Sequence, residues 1–185
     1  MLVADQPVFY YDLSSPACYL VAEQIISALP IVAEWEPVLA SDLGAPELEP
    51  ERTEIERSAG ALGLQPWRWP TRWPPDGRTA MLAATYAKGV GRAVAFSLAA
   101  FRQEFAAGRD LGDEATVLLA GAACEMHPTA LLKGISLRSV ARSLARAGER
   151  AQGSGVRTLP AVQVGSLTFE GLGAIDDAAL ALAPR

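Results

Sequence analysis

Apolar positions along this chain follow two periods, and the fold changes where the period changes. Residues 8–13 (Val-Phe-Tyr-Tyr-Asp-Leu) form a short apolar run between Pro7 and Ser14, which predicts a buried strand. A helical stretch over Tyr19–Ile26 follows and stops before Pro30, which cannot continue the hydrogen-bond ladder. Residues 31–39 predict a second strand, and Pro37 within it places that strand near a sheet edge. The opening is therefore β-α-β, with parallel strands and a right-handed crossover.

From about residue 47 to 151 the apolar spacing is helical. Helices are predicted near 51–62, 79–90, 92–107, 114–125, 128–134 and 137–151, punctuated by Gly and Pro. Between the first two lies 67–75 (Trp-Arg-Trp-Pro-Thr-Arg-Trp-Pro-Pro), too rich in proline for a helix. Strands then return: Ala161–Val164 and Leu167–Glu170, joined by Gly165-Ser166, read as a β-hairpin. Asp176 or Asp177 is expected to cap a last short helix reaching Leu182. The order β-α-β, helices, β-β-α predicts an α/β fold in two parts. Residues 1–45 and 152–185 form one domain, and 46–151 an all-helical insertion.

Composition narrows the function classes. The 185 residues are half hydrophobic and a fifth charged, enough for one well-filled core. A net charge of −5 with no basic run argues against nucleic acid or an anionic membrane as partner. No segment is long and apolar enough to span a bilayer, and Met1–Pro7 lacks the basic and apolar regions of a secretory leader. A cytoplasmic location is expected. Cys18 and Cys124 are too few for a disulfide framework and are expected as free thiols. With one histidine and no acidic cluster, no metal site is expected. That histidine, His127, precedes Pro128 at a predicted helix start and reads as an exposed loop residue. Arg138, Arg142 and Arg146 recur every four residues and read as one solvated helix face.

The chemistry concentrates in Ser15-Pro16-Ala17-Cys18, at the turn from first strand to first helix. A cysteine at position 15 would complete a C-P-x-C redox motif, its thiolate stabilised by the helix dipole and free N–H groups. This chain carries a hydroxyl there. Ser15-Pro16 also suits a helix start, serine as N-cap and proline as first helical residue. The two roles are compatible, because a capping hydroxyl can also face a ligand. A helix terminus worth ~1 kcal/mol shifts a pKa by roughly one unit, far too little to ionise an alcohol at neutral pH. Ser15 therefore serves better as a hydrogen-bond donor to a thiolate supplied by a ligand than as a nucleophile. Cys18 has two readings, an inward-facing inert thiol or a lone reactive one. So has the tryptophan loop. It covers the edge of the core, or it walls an aromatic pocket where Arg68 or Arg72 grips a carboxylate.

The element order, the Ser15–Cys18 turn and Thr158-Leu159-Pro160 before the hairpin resemble the thioredoxin superfamily, in particular its DsbA-like branch with a helical insertion. Within that branch the chain is most similar to 2-hydroxychromene-2-carboxylate isomerases and kappa-class glutathione transferases. The opening Phe9–Pro16, the loop Trp69–Pro74, and Phe101-x-x-Glu104-Phe105 followed by Gly108–Asp113 carry that resemblance across nearly the whole chain. It implies a thioredoxin-like fold with a cis proline at Pro160 beside the start of the first helix. It implies Ser15 and Cys18 as catalytic positions, and Pro16, Leu159 and Pro160 as the residues holding glutathione, with its sulfur against Ser15. Trp69, Arg72, Trp73 and Asp76 would then contact a small aromatic carboxylate or thiol substrate. The implied reaction is reversible attack on a conjugated bond, rotation and release; a homodimer is the implied assembly. The chain departs from the pattern at Gly173 and Ala174, where relatives carry side chains for the glutamyl end of glutathione. It also has Asp76 in place of an asparagine, and no Asn-Thr pair in 137–157. Two alternatives stand beside the isomerase reading: a thiol-disulfide oxidoreductase using Cys18 alone, and a non-catalytic member binding a peptide or small acid.

Overall fold

Four short strands pair in the order β2-β1-β3-β4 in the computed structural model, which describes residues 6–44 and 51–183. The expectation about a leader at residues 1–5 and the domain boundary at 45–46 lie outside the described residues. Strand β1 (Val8–Tyr11) runs parallel to β2 (Glu34–Pro37), and β3 (Ala161–Val164) runs antiparallel to β1 and to β4 (Leu167–Glu170). Pro37 does sit on an edge strand, where its missing N–H leaves no ladder bond unmade.

Alternation along the strands sorts the side chains onto two faces. Phe9, Tyr11, Trp35 and Val162 point into the main core. They share it with α1 (Pro16–Ala28), α3 (Arg78–Gly89), α4 (Ala93–Phe105), α5 (Glu114–Ala123) and α8 (Ala174–Leu182). Phe9 meets the edge of Trp35 at 5.1 Å, and Tyr11 packs 6.0 Å from Phe101. Phe9, Tyr11, Phe96, Phe101 and Phe105 are wholly buried, each worth ~1.5–3 kcal/mol of transfer from water. The opposite face is covered by α7 (Arg138–Gly153), which sets Ala147 and Ala151 against Tyr10, Val38 and Ala161. Its buried positions, Val140, Leu144, Ala147, Gly148 and Ala151, recur at three- and four-residue spacing along one face. Arg138, Arg142 and Arg146 lie on its solvated side. Two further helices, α2 (Arg52–Ala61) and α6 (Pro128–Ile135), complete the helical segment. Among the described residues, the core cluster of the sheet continues into that segment.

Several boundaries differ from the sequence pattern. The first strand ends at Tyr11 because the Asp12 carboxylate accepts from Ser14 N at 2.8 Å and Ala40 N at 2.9 Å, turning the chain. The second spans four residues rather than nine, since β1 offers only four partners in register. A 3-10 turn at Ala40–Leu43, which no apolar period announces, follows it. The last helix is capped by Gly173, not by Asp176 or Asp177. Both aspartates lie one turn in, where they face the positive end of the helix dipole. His127 is the exposed N-cap of α6, its Nδ1 accepting from Thr129 N at 3.2 Å. Among the described residues, no helix is long and apolar enough to cross a membrane.

Candidate functional site

One end of the sheet brings together the turn after β1 and the segment before β3. Because these strands are antiparallel, Tyr10 lies opposite Ala161. The turn Asp12–Ser15 leaving β1 and the Leu159–Pro160 step entering β3 therefore share an edge. Ser15 is the N-cap of α1, half-buried, with its Oγ accepting from Cys18 N at 3.2 Å. Pro16 occupies the first helical position, where its missing N–H costs nothing. The capping bond uses one oxygen lone pair, and the hydroxyl also lies within hydrogen-bonding reach of the Cys18 sulfur.

The Leu159–Pro160 bond is cis, as expected. The approach to it is fixed by Glu170, whose Oε1 accepts from Arg157 N at 2.5 Å and Thr158 N at 3.0 Å. Gly171 N donates to Pro160 O at 2.8 Å from the other side. The N–H of half-buried Leu159, between these tethers, has no acceptor among the described residues.

Cys18 lies within the first turn of α1 and is fully buried. Burial pushes its thiol up to about 12, with the Ser15 hydroxyl and the Asp12 backbone opposing that rise. It is protonated at neutral pH and has no exposed sulfur to offer, which favours the inert reading over the reactive one. Cys124 is buried as well, its Sγ 3.3 Å from Gly121 O.

The tryptophan loop forms the adjacent wall. Trp73 Nε1 donates to Ser14 O at 3.3 Å, tying the loop directly to the serine turn. Trp73 meets Trp69 edge-on at 5.2 Å, and Trp69 lies 5.4 Å from Trp67. Trp67 stacks on Phe105 at 4.9 Å. The tryptophans thus do cover the core edge, and they carry that cover up to the serine turn. A Cβ at Gly77 would sit 2.3 Å from Ser14 Oγ, so glycine lets the start of α3 close against the same turn. Asp76 is exposed, with Oδ1 3.5 Å from Arg78 N at the α3 start. Arg72 is exposed and makes no hydrogen bond or ion pair among the described residues.

A different arginine stands over the indoles. The Arg52 guanidinium lies 4.7 Å from the Trp69 ring centroid and 5.9 Å from that of Trp73. One turn along α2, Glu56 Oε1 accepts from Trp69 Nε1 at 2.7 Å. Sequence reasoning missed both residues; their only signal was the i, i+4 spacing of Arg52 and Glu56 ahead of an aromatic loop. It also missed a second cis bond, Trp73–Pro74, and the burial of Glu104. Glu104 Oε2 accepts from Leu111 N at 2.8 Å, holding the segment after α4 on which Arg68 and Trp69 rest. Among the described residues, no three His, Cys, Asp or Glu side chains gather as metal ligands.

On the other face of the sheet an open cleft of about 440 Å³ is lined by Tyr10, Glu34, Glu36, Lys88 and Arg150. Its charges satisfy one another: nearly buried Glu36 accepts from Lys88 at 2.6 Å and Arg150 at 2.9 Å, and Lys88 also binds Glu34.

No protein-family model and no curated protein sequence matches this chain. Solved structures do. A 2-hydroxychromene-2-carboxylate isomerase superposes with a TM-score of 0.82 at 15% identity, covering 95% of this chain and 93% of that one. A probable DsbA oxidoreductase from Streptomyces coelicolor gives 0.78 at 17% identity over 96% and 88%. The cytosolic disulfide reductase DsbM from Pseudomonas aeruginosa, determined with GSH, gives 0.68 at 15% identity over 96% of each chain. With the sheet order, the cis proline and the inserted helices, these likenesses establish that the chain has the DsbA-like thioredoxin fold, in the form seen in 2-hydroxychromene-2-carboxylate isomerase.

Proposed function

We propose that this protein is a glutathione-dependent isomerase or transferase whose thiol chemistry is supplied by the bound tripeptide. The observation that carries the reading is the pairing of Ser15 with Cys18. The half-buried attacking position of the redox motif holds a hydroxyl, and the remaining cysteine is buried and protonated. Neither can run dithiol exchange alone, since that needs a thiolate and a resolving thiol. A hydroxyl at a helix N-terminus, able to turn its hydrogen from the neutral Cys18 thiol to an anion, suits an ionised sulfur brought by a ligand.

The residues present fit glutathione at its cysteinyl part. Leu159 N–H has no acceptor among the described residues and can pair with the backbone of an extended peptide, while Pro16 and Pro160 shape the floor. Bound there, glutathione supplies a thiolate able to add reversibly to a conjugated double bond. Ser15 would donate to that sulfur and keep it ionised, and the indole of Trp73 would pack against an aromatic substrate and exclude water. At the glutamyl end, Gly173 and Ala174 offer backbone only. That feature favours a second reading, a non-catalytic member binding a peptide or small acid. A cytosolic setting, like that of DsbM, suits a ligand that must stay reduced.

Calorimetry with reduced glutathione tests the proposal, with the ultraviolet absorbance of the bound thiolate as second readout. Wild type should bind and lower the ligand's thiol pKa, and Ser15→Ala should raise it again. No binding at millimolar glutathione overturns the reading. Binding with a thiol pKa indifferent to Ser15→Ala favours the non-catalytic one.

A further inference from the structure

We propose that Arg52, rather than Arg72, is the residue that recognises a carboxylate on a small aromatic ligand at the Ser15 end of the molecule; this rests on the proposed function only in placing the ligand there. Both arginines are exposed. Arg72 extends from the loop with no hydrogen bond, ion pair or ring contact among the described residues, so fixing it on a ligand costs its full rotamer entropy.

Arg52 is already placed. Its guanidinium lies over Trp69 at 4.7 Å and within 5.9 Å of Trp73, and Trp73 in turn donates to Ser14 O. One indole therefore separates the guanidinium from the serine turn. Attraction to a ring face holds a guanidinium through its plane and leaves its N–H edge free, the edge that pairs with both oxygens of a carboxylate. The platform beneath it is fixed too. Trp69 is gripped at its N–H by Glu56 and at its edges by Trp67, Trp73 and Phe105. Among the described residues, no carboxylate forms an ion pair with Arg52, whereas Glu56 spends its Oε1 on the indole. A preorganised planar cation beside half-buried Trp73 matches an aromatic acid. An uncharged aromatic would gain only the stacking.

The test compares cinnamate with cinnamamide, two ligands of one shape that differ in charge. Binding is followed by calorimetry and by quenching of tryptophan fluorescence. Wild type should prefer cinnamate about tenfold, the worth of one partly exposed charge-assisted contact. Arg52→Gln should remove that preference by weakening cinnamate alone, Arg52→Lys should keep part of it, and Arg72→Gln should leave it intact. The proposal is overturned if wild type does not bind cinnamate or shows no preference. It is equally overturned if Arg52→Gln keeps the preference, or if Arg72→Gln erases it. A parallel titration with glutathione keeps the two readings apart. Its failure, with the Arg52-dependent preference intact, removes the thiol mechanism and not the carboxylate site.

Discussion

Glu104 gives the most quantitative test of the physical picture. Its side chain is wholly buried, Oε2 accepts from Leu111 N, and Oε1 has no partner. Desolvation raises its carboxyl from 4.5 to about 8; the Leu111 N–H opposes this and the nearby Asp110 carboxylate adds to it. Between those two values the folded chain holds a proton that the unfolded chain has released. Stability is therefore fully present below pH 4.5 and is lost as pH rises through about 8. Each pH unit in the window removes about 1.4 kcal/mol, so roughly 3 kcal/mol is gone by pH 7 and roughly 5 above pH 8. Glu104→Gln titrates nowhere and keeps an acceptor for Leu111 N. Its amide N–H groups, however, occupy the place of the unpartnered oxygen, at a cost of about 1–3 kcal/mol. The variant should be less stable than wild type at pH 5 and more stable at pH 8. Urea unfolding followed by tryptophan fluorescence at pH 5–9 measures both curves, and titrating groups not coupled to Glu104 cancel in their difference. A difference that stays flat from pH 5 to 8 refutes the assignment of a buried, protonated carboxyl.

Three further outcomes follow from single contacts. Ser15→Ala removes the acceptor for Cys18 N and should cost about 1 kcal/mol, or roughly 2–4 °C in thermal melting; an unchanged midpoint would deny the cap. Tyr11→Phe leaves the buried Ser97 hydroxyl without its 2.6 Å partner and should cost about 1–3 kcal/mol in urea unfolding, with a loss under about 0.5 kcal/mol counting against it. In a Cys124→Ser background, Cys18 should resist a thiol-reactive disulfide reagent at pH 7 and react at once in 6 M guanidinium, about the strength that unfolds even hyperstable domains. Rapid labelling of the folded protein would instead revive the redox alternative.

What the sequence made legible was what short-range chemistry decides. Ser15-Pro16 announced a helix start because capping is local, and the hairpin at Gly165 announced itself because that residue needs a positive φ, here 58°. Relationships that arise only on folding were hidden. Asp12 ends β1 by accepting from Ala40, 28 residues away, so no apolar period could mark that boundary. Arg52 and Glu56 looked like an ordinary solvated helix face until the tryptophan loop folded beneath them. Gly173 took the cap from Asp176 and Asp177 because the hairpin's exit through Gly171 fixes where α8 begins. Cys18 illustrates the reverse case: its spacing from position 15 points to chemistry, while packing buries its thiol, which no local pattern announced.

The same packing argues for where reactivity must lie. On the proposed reading three devices matter at this end of the sheet: a helix N-terminus, a backbone N–H without a protein acceptor, and a sulfur within reach. This chain keeps the first two, in α1 capped by Ser15 and in Leu159–Pro160. Its own sulfur at the edge is buried and protonated. A backbone N–H without a protein acceptor at a half-buried position, and a hydroxyl that can turn toward a stronger acceptor, are both open to an incoming ligand. An extended peptide with a thiolate offers both acceptors at once, one to Leu159 N–H and one to the Ser15 hydroxyl. On that argument, Leu159→Pro, which deletes the N–H, should weaken glutathione binding even where Ser15 is untouched. Retention of full affinity in that variant, with its fold verified by circular dichroism, would show that the peptide docks elsewhere.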